Sequence, residues 1–368
     1  MGEPYLKRNQ FWRANPWLLA VIILSVIFPW LSPEYYVDLA FNVLIYVILA
    51  ESLNIIIGFA GLLNLGHAAF FGVGAYTYGI LWRFFQLPFF FALPLSAFFA
   101  AIMGLLLGLP VLRVRHDYIA IVTLGFGEVV KLILNNWTDL TDGPNGLYGM
   151  APPQLWGFVL RSRTHYYYLA LVLVYLILFF MVRLGHSRLG RAWIAIREDE
   201  VSAATLGIRI DRLKLLAFTV GAGLAGVAGC LMASKHRFIS PAGFGFYESI
   251  IILCMVIVGG IGNIPGVVLG ASILYIVPEI LREFSDFRMI TVGVAMIILM
   301  IFRPEGILGK EKRKTIWVRS PFSSASGKRG HNLPGYSSEI SPVPSFPKRG
   351  IPPFFKGREG GIWYPVST

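Results

Sequence analysis

Charged side chains are scarce in this chain of 368 residues. Only 14% of the residues are Asp, Glu, Lys or Arg, whereas 56% are hydrophobic and the mean hydropathy is +0.66. A soluble globular domain carries about 25% charged residues. So few charges argue against a water-soluble protein and predict an integral membrane protein.

Cysteine is nearly absent, and so are the motifs of nucleotide hydrolysis. Cys230 and Cys254 lie in apolar runs, which predicts buried thiols and excludes a disulfide framework or a cysteine-rich metal cluster. A lone histidine such as His67 makes no metal site, and we expect no metal, cofactor or catalytic residue. Because the pattern G-x-x-x-x-G-K-[ST] does not occur, any ATP that powers this protein is hydrolysed by another subunit.

Positive charge is unevenly distributed along the chain. The net charge is +12, and residues 309–368 hold 11 Lys or Arg against 3 Asp or Glu, so that segment alone carries +8. Most of the remainder lies in short loops between apolar runs, a pattern set by membrane orientation. We therefore expect contact with membrane lipid and none with nucleic acid.

Long apolar stretches recur through most of the chain, and a spanning helix needs about 17–25 such residues. The predicted fold class is all-α integral membrane, with about ten transmembrane helices, some of them broken by Gly or Pro. The predicted spans are 17–31, 38–58, 65–83, 89–110, 118–135, 166–184, 214–234, 248–260, 264–283 and 288–302.

The positions of Lys and Arg predict how these spans are oriented. Three cations before the first span put the N-terminus in the cytoplasm, and counting spans puts 185–213 and the C-terminus there as well. Five residues fit this rule poorly because they fall outside: Arg161, Arg163, Lys235, His236 and Arg237.

Three regions follow from these patterns. Residues 1–16 form a cytoplasmic N-terminus, 17–310 form the transmembrane domain, and 311–368 form a basic cytoplasmic tail. The tail is rich in Pro, Ser and Gly and lacks periodicity, which predicts disorder. The alternative is a basic tail that lies on anionic lipid.

Two membrane segments are interrupted by glycine and asparagine. The first, GFAGLLNLGHAAFFGVGAYTYG, spans 58–79 and contains Asn64, Gly66 and His67. The second, VGGIGNIPGVVLGA, spans 258–271 and contains Asn263. Broken helices at corresponding positions of two halves are typical of a transport site, so these residues are predicted to line a substrate path. The alternative is that the glycines only let helices pack closely and that His67 is a hydrogen-bonded packing residue.

Acidic residues inside predicted spans are costly, so each must face protein or water. Glu128 and Lys131 are three residues apart on one helix and can pair, and Glu51 lies in the second span. These groups either belong to a substrate path or tie helices together.

A different pattern, GAGLAG at 221–226, resembles a dinucleotide motif but lies inside one apolar span, which instead predicts close helix packing.

The segment 185–218 is the longest predicted cytoplasmic stretch before the tail. In helical form, Ala203, Leu206 and Gly207 share one face, and Gly207 is a natural helix terminator. A short helix of this kind suits docking onto a cytoplasmic partner, whereas the alternative is a solvated loop.

Four stretches together resemble the permease subunits of branched-chain amino-acid ABC importers, of the LivM type. They are GFAGLLNLGHAAFFGVGAY, DYIAIVTLGFGEVVKLILNN, GPNG and GRAWIAIREDEVSAATLGI. The similarity covers about residues 17–310 and does not extend to 320–368. It implies an all-helical permease that pairs with a related permease of the LivH type. Two cytoplasmic ATPase subunits and a periplasmic substrate-binding protein are the other implied partners.

The resemblance also implies roles for particular residues. Segment 191–208 corresponds to the coupling helix that sits in a cleft of an ATPase subunit, and the positions that match its pattern are Arg197, Glu198, Asp199, Ala203, Ala204 and Gly207. It further implies that the Asn64–His67 break and the stretch from Thr123 to Glu128 lie near the substrate path. Leu206 joins the predicted coupling residues because it shares their helix face.

The predicted function is translocation of branched-chain or related amino acids across the bacterial inner membrane by alternating access. The predicted protein is a multi-pass permease subunit with both termini in the cytoplasm. One alternative changes only the cargo, to urea or a short-chain amide. Others are an ion-driven secondary transporter that acts alone and, last, an intramembrane enzyme, for which His67 has no evident partner.

Overall fold

The computed structural model describes residues 16–112, 114, 118–155, 158–280, 293, 306 and 307. Helices dominate this part of the chain, in the order α1 Pro16–Leu31, α2 Glu34–Asn54, α3 His67–Phe85, α4 Phe89–Val111, α5 Ile119–Asn136, α6 Thr138–Thr141, α7 Arg163–His186, α8 Arg188–Glu198, α9 Glu200–Thr205, α10 Ile210–His236, α11 Phe246–Gly259 and α12 Ile264–Ile280. A π-helix, Ile55–Phe59, extends α2.

Five helical segments are long and apolar enough to cross a membrane: Glu34–Phe59, Phe89–Val111, Ile119–Asn136, Arg163–His186 and Ile210–His236. Shorter apolar helices include α11, α12 and Ile22–Leu31. The all-α membrane class is therefore confirmed, whereas the count of ten spans is not. Residues 1–15, most of the predicted span 288–302 and the tail 311–368 lie outside the described residues.

Helix α10 is the central helix of the bundle and packs most extensively against α4 and α3. Its small residues permit this contact. A side chain at Gly221 would meet Ile56 and Ser52 of the extended α2, and one at Gly229 would overlap the backbone of α3 at Phe71. The GAGLAG stretch lies inside α10, as predicted for a close-packing face rather than a nucleotide loop.

The order of the elements along the chain indicates which segments lie at each end of the bundle. The end that carries α8 and α9, between α7 and α10, is the predicted cytoplasmic end. The other end carries two short antiparallel sheets. One pairs β1 Leu147–Tyr148 with β4 Phe238–Ile239, and the other pairs β2 Gln154–Leu155 with β3 Phe158–Val159.

Candidate functional site

The first predicted break lies between α2 and α3, at the end of the bundle that carries α8. The π-helix closes with the amide of Ala60 donating to Ile55 O at 3.1 Å and that of Leu62 donating to Ile56 O at 3.0 Å. The chain then runs without helix until His67 begins α3. π-Helical turns are rare, and those that occur within helices are frequently found at functional sites.

Hydrogen bonds hold His67 in its neutral form at this break. Ser52 Oγ donates to Leu49 O at 2.7 Å and lies 2.7 Å from His67 Nε2, so Nε2 carries the proton and donates to Ser52. Nδ1 accepts from Asn64 Nδ2 at 3.3 Å. Both ring nitrogens are thereby satisfied in a fully buried position, which is the arrangement of a structural histidine.

The start of α3 is closed by side chains from three other segments. Asn64 Oδ1 accepts from the amide of Gly66 at 3.0 Å, and Thr123 Oγ1 accepts from that of Leu65 at 3.0 Å. Ser249 Oγ of α11 accepts from the amide of Ala68 at 3.0 Å. These bonds satisfy amides that a helix start leaves open. A Cβ at Gly66 would overlap the carbonyl oxygen of Thr123, so only glycine fits there.

The structure therefore brings together four of the predicted path residues: Asn64, Gly66, His67 and Thr123. The other two lie elsewhere. Glu128 Oε1 accepts from the amide of Phe246 at 3.2 Å, and its Oε2 lies 3.9 Å from Lys131 Nζ, which confirms the predicted pair. Asn263 lies in the turn between α11 and α12, where its backbone N–H donates to Gly260 O at 3.1 Å. The role of all six in a substrate path stays a prediction.

The two breaks, far apart in sequence, meet in space. Asn54 Oδ1 accepts from the amide of Gly262 at 2.9 Å, while Asn54 Nδ2 donates to Glu51 Oε2 at 3.2 Å. Glu51 is fully buried, and its Oε1 has no hydrogen-bond partner within the described part of the chain. The end of α2 and the turn before α12 are thus joined through one amide side chain.

Arg197 of α8 reaches the same point from the predicted cytoplasmic segment. Its Nη1 donates to Gly58 O at 2.5 Å. A Cβ at Gly61 would lie 2.9 Å from Arg197 Cγ, and one at Gly262 would lie 2.8 Å from Nη1. We call this group, formed by Asn54, Gly58, Gly61, Arg197 and Gly262, the Arg197 junction.

Helix α8 is held against the bundle by buried side chains. Ser187 Oγ caps its start by accepting from the amide of Gly190 at 3.1 Å. Trp193 is fully buried and donates from Nε1 to Leu213 O of α10 at 2.8 Å. Arg197 therefore approaches Gly58 from a helix whose position is fixed by its own packing.

The predicted single helix over 191–208 is in fact two helices, α8 and α9. Asp199 separates them because its carboxylate caps α9, accepting from the amides of Val201 at 2.9 Å and Ser202 at 3.2 Å. Hydrogen bonds from the Ser202 side chain and amide lower the pKa of the Asp199 carboxyl. Lys214 of α10 ties α9 to the bundle through an ion pair with Glu200 at 2.6 Å.

Most predicted coupling residues are exposed, namely Arg197, Glu198, Asp199, Ala204, Leu206 and Gly207. Ala203 differs, because it is only 2% exposed and faces the bundle, whereas Leu206 is 78% exposed. The expectation that these two residues share one face is wrong. Gly207 does terminate the helix, at a φ of +78°, with its amide donating to Ala204 O and that of Ile208 donating to Ala203 O.

Sequence reasoning missed the partners that complete this site, chiefly Ser52, Asn54 and Ser249. A usable signal was present at α2, where three polar residues, Glu51, Ser52 and Asn54, fall within four positions of an apolar span. Ser249 carried no such signal. Among the described residues, no group of three or more His, Cys, Asp or Glu side chains is placed to hold a metal ion.

Comparison with known proteins identifies a family over most of the chain. Residues 35–302 match the family described as "branched-chain amino acid transport system / permease component". The chain is 40% identical to the permease LivM of Salmonella typhimurium, over 79% of this chain and 74% of the relative. No solved structure matches the chain.

Two further relatives come from one organism, Escherichia coli (strain K12). Its LivM permease is 41% identical over 79% of this chain and 74% of its own length. Its LivH permease is 24% identical over 72% of this chain and 91% of its own length. Each of these relatives is named as a transport permease.

Proposed function

The chain belongs to the permease family of branched-chain amino acid transport systems, and from this premise we propose that it carries a branched-chain or related amino acid across the bacterial inner membrane. It is a permease subunit of an ABC importer, a class that works with ATPase and substrate-binding partners. Both termini and the α8–α9 segment lie in the cytoplasm, an orientation supported by the distribution of Lys and Arg.

The proposed complex holds this chain, a second related permease, two cytoplasmic ATPase subunits and a periplasmic binding protein. Support for the second permease comes from the relatives, because both the LivM and the LivH permeases of one organism are similar to this chain. Transport is by alternating access, in which the spans expose a central path first to one side and then to the other.

The observation that carries the mechanism is the hydrogen bond from Arg197 Nη1 to Gly58 O. The exposed face of α8 and α9 presents apolar side chains, with Val201 74% and Leu206 78% exposed, for contact with an ATPase subunit. When ATP binding draws that subunit inward, α8 moves with it, and Arg197 transmits the movement to the π-helix at the end of α2.

The break then opens the path. In the described conformation Asn64, His67 and Thr123 are buried, so substrate reaches them only when α3 and α5 separate. Movement of the end of α2 acts on this contact through Ser52, which bonds His67, the first residue of α3. Asn64, Gly66, His67, Thr123, Glu128 and Asn263 are the proposed points along the path.

Cysteine cross-linking tests the docking surface, in a chain whose Cys230 and Cys254 are replaced by alanine. We expect Leu206→Cys to cross-link to an ATPase subunit in native membranes, because this side chain is exposed on α9. Ala203→Cys is the matched control, since its side chain faces the bundle and should give little product. Cross-links from neither position, or reaction of Leu206→Cys with lipid only, would contradict the docking role.

Co-purification from native membranes tests the assembly as a whole. We expect two ATPase subunits and a second permease to accompany the chain, and ATP to be required for uptake in vesicles. Uptake by the isolated chain driven by an ion gradient would instead make it a secondary transporter. Ligand binding by the partner binding protein separates an amino-acid cargo from urea or a short-chain amide.

A further inference from the structure

A cavity opens at the end of the bundle opposite α8 and α9. Its volume is about 300 Å³, at the small end of the range for ligand pockets. The start of α2, the start of α7 with the loop before it, and the end of α10 form its walls. The residues that line it are Asp38, Arg161, Arg163, Tyr166, Lys235 and His236.

The lining carries an excess of positive charge. Two guanidinium groups and one ammonium group face a single carboxylate, that of Asp38, which pairs with Lys235. Lys235 Nζ also lies 4.0 Å from the centroid of the Phe41 ring, so its position is set from two sides. Arg163 Nη1 lies 3.5 Å from Glu34 Oε2 in an exposed pair, and counting Glu34 still leaves a surplus of one positive charge.

These cations are the ones that fit the orientation rule poorly. Lys and Arg are normally depleted from short loops on the outer side of a membrane. Of the five exceptions in the sequence, Arg161, Arg163, Lys235 and His236 line the cavity. The fifth, Arg237, instead donates from Nε to Met150 O at 2.8 Å. Their convergence on one concavity indicates a ligand of negative charge.

Aromatic residues near the start of α2 and on α7 indicate the level in the membrane at which the cavity opens. Trp30, at the end of α1, is 84% exposed and donates from Nε1 to the hydroxyl of Tyr168 on α7 at 2.9 Å. Tyr35 and Tyr36, in the first turn of α2, are also exposed. Exposed Trp and Tyr concentrate at the level of the lipid headgroups, so the cavity opens at that level.

We propose that this cavity binds the phosphate of an anionic lipid headgroup in the outer leaflet. The guanidinium groups of Arg161 and Arg163 match the geometry of phosphate oxygens, and Lys235, paired with Asp38, completes the cationic lining. Free inorganic phosphate shares this chemistry, but the neighbouring aromatic belt favours a lipid source. The site is independent of the transported cargo and of the Arg197 junction.

Native mass spectrometry of the full-length chain, purified from membranes in mild detergent with its accompanying subunits, tests the proposal. The probes are phosphatidylglycerol, phosphatidylethanolamine and inorganic phosphate, each added alone. We expect retention of phosphatidylglycerol over phosphatidylethanolamine. The double variant Arg161→Gln/Arg163→Gln should reduce that retention by about 25-fold, since two cations near a lipid phosphate each contribute about fivefold.

The matched control is Arg83→Gln/Arg183→Gln, which removes two exposed positive charges outside the cavity and should retain phosphatidylglycerol normally. If the double variant does not fold, Arg161→Gln alone should reduce retention by about fivefold, because Arg161 is an exposed loop residue. Equal retention of both lipids, or unchanged retention in the cavity variants, would overturn the proposal.

Two other outcomes would also overturn it, and they separate the alternatives. Binding of inorganic phosphate that is lost in the Arg161→Gln/Arg163→Gln variant, with no preferential retention of phosphatidylglycerol, would make the cavity a site for a free anion. If the Arg161→Gln/Arg163→Gln variant retains lipid normally but no longer binds the purified substrate-binding protein, this surface is a protein contact instead.

Discussion

The two breaks in the membrane helices use similar residues but are built in different ways. The first, between α2 and α3, leaves helix-start amides that are satisfied by Asn64, Thr123 and Ser249, side chains from three segments. The second, between α11 and α12, satisfies the amides of Gly260 and Asn263 from its own backbone and takes an outside partner, Asn54 of α2, which accepts from the amide of Gly262. There, Gly260 donates to Val256 O and Asn263 donates to Gly260 O, and Gly260 and Gly262 adopt φ values of +108° and +82°.

This difference indicates which break is the better candidate for movement. The second break is a tight turn set mainly by its own backbone bonds and positive φ values, with a side-chain bond to Asn54, so it can hold its shape when neighbouring helices shift. The first depends on contacts with α5 and α11, and it loses satisfied hydrogen bonds if those helices move away. Arg197 contacts both breaks, which makes the Arg197 junction the point where the fixed turn and the dependent break are joined.

Position 66 is where we expect the largest effects, even for the smallest side chain, in Gly66→Ala. Because the obstacle is the backbone carbonyl of Thr123, we expect a loss of roughly 3 kcal/mol in stability and near-complete loss of uptake. Gly125→Ala is the control. Gly125 lies on α5, the helix that also carries Thr123, and nothing lies within 4 Å of its Cβ position. Thermal melting in detergent and uptake in vesicles provide the measurements, and equal behaviour of the two variants would remove the distinction between the breaks.

A bulkier change at the first break tests the same contact in cells. We expect Gly61→Leu and Gly66→Leu to abolish uptake, because Arg197 and Thr123 occupy the space that the new side chains need. Membrane insertion should persist, since leucine is favoured in apolar spans. Insertion is followed by membrane fractionation, and normal uptake by these variants would contradict the role of the break.

His67→Phe should have the next largest effect. The substitution leaves the buried side chain of Asn64 without its acceptor, which costs roughly 2 kcal/mol. His67→Gln retains a donor and an acceptor and should recover much of the stability and of the uptake. If the two variants melt at the same temperature, the bonds to Ser52 and Asn64 do not hold the start of α3.

Gly262→Ala is expected to act more on transmission than on stability. Its positive φ costs about 1–2 kcal/mol for alanine, and the same cost applies to Gly149→Ala, whose φ is +80° with open space around it. Only Gly262→Ala also displaces Arg197, so only this variant should uncouple ATP hydrolysis from uptake. Equal ratios of uptake to ATP hydrolysis in the two variants would exclude a role for the junction.

The smallest expected effect is at the cap of α9. Because hydrogen bonds lower the pKa of Asp199, its contribution to α9 is present above its ordinary pKa and is lost only as the pH falls through the lowered value. Hydrogen exchange of the Val201 and Ser202 amides should therefore show constant protection near neutral pH. Asp199→Asn should preserve that protection and Asp199→Ala should lose it, whereas equal loss in both would assign the effect to charge alone.

Local patterns predicted much of the fold and part of the site. The described helices fall at nine of the ten predicted spans, because apolar runs of that length have few other ways to satisfy their backbone in lipid. The Gly207 terminator and the Glu128–Lys131 pair also follow from short-range spacing. The break at Asp199 was missed because a capping carboxylate in a charged run looks like any other surface acid.

Composition and spacing by themselves determined that this chain is a helical membrane protein, where most of its apolar helices run and where two of its membrane segments are interrupted. Those properties follow from a local requirement. In lipid, unpaired backbone N–H and C=O groups are costly, so each segment must form its backbone hydrogen bonds within itself. Only the tertiary structure decided that Arg197 bonds Gly58, that Asn54 joins the two breaks, and that the basic residues near 161–163 and 235–236 line one cavity. Those contacts join residues far apart in the chain, and the packing of whole helices, rather than any local pattern, sets which of them meet.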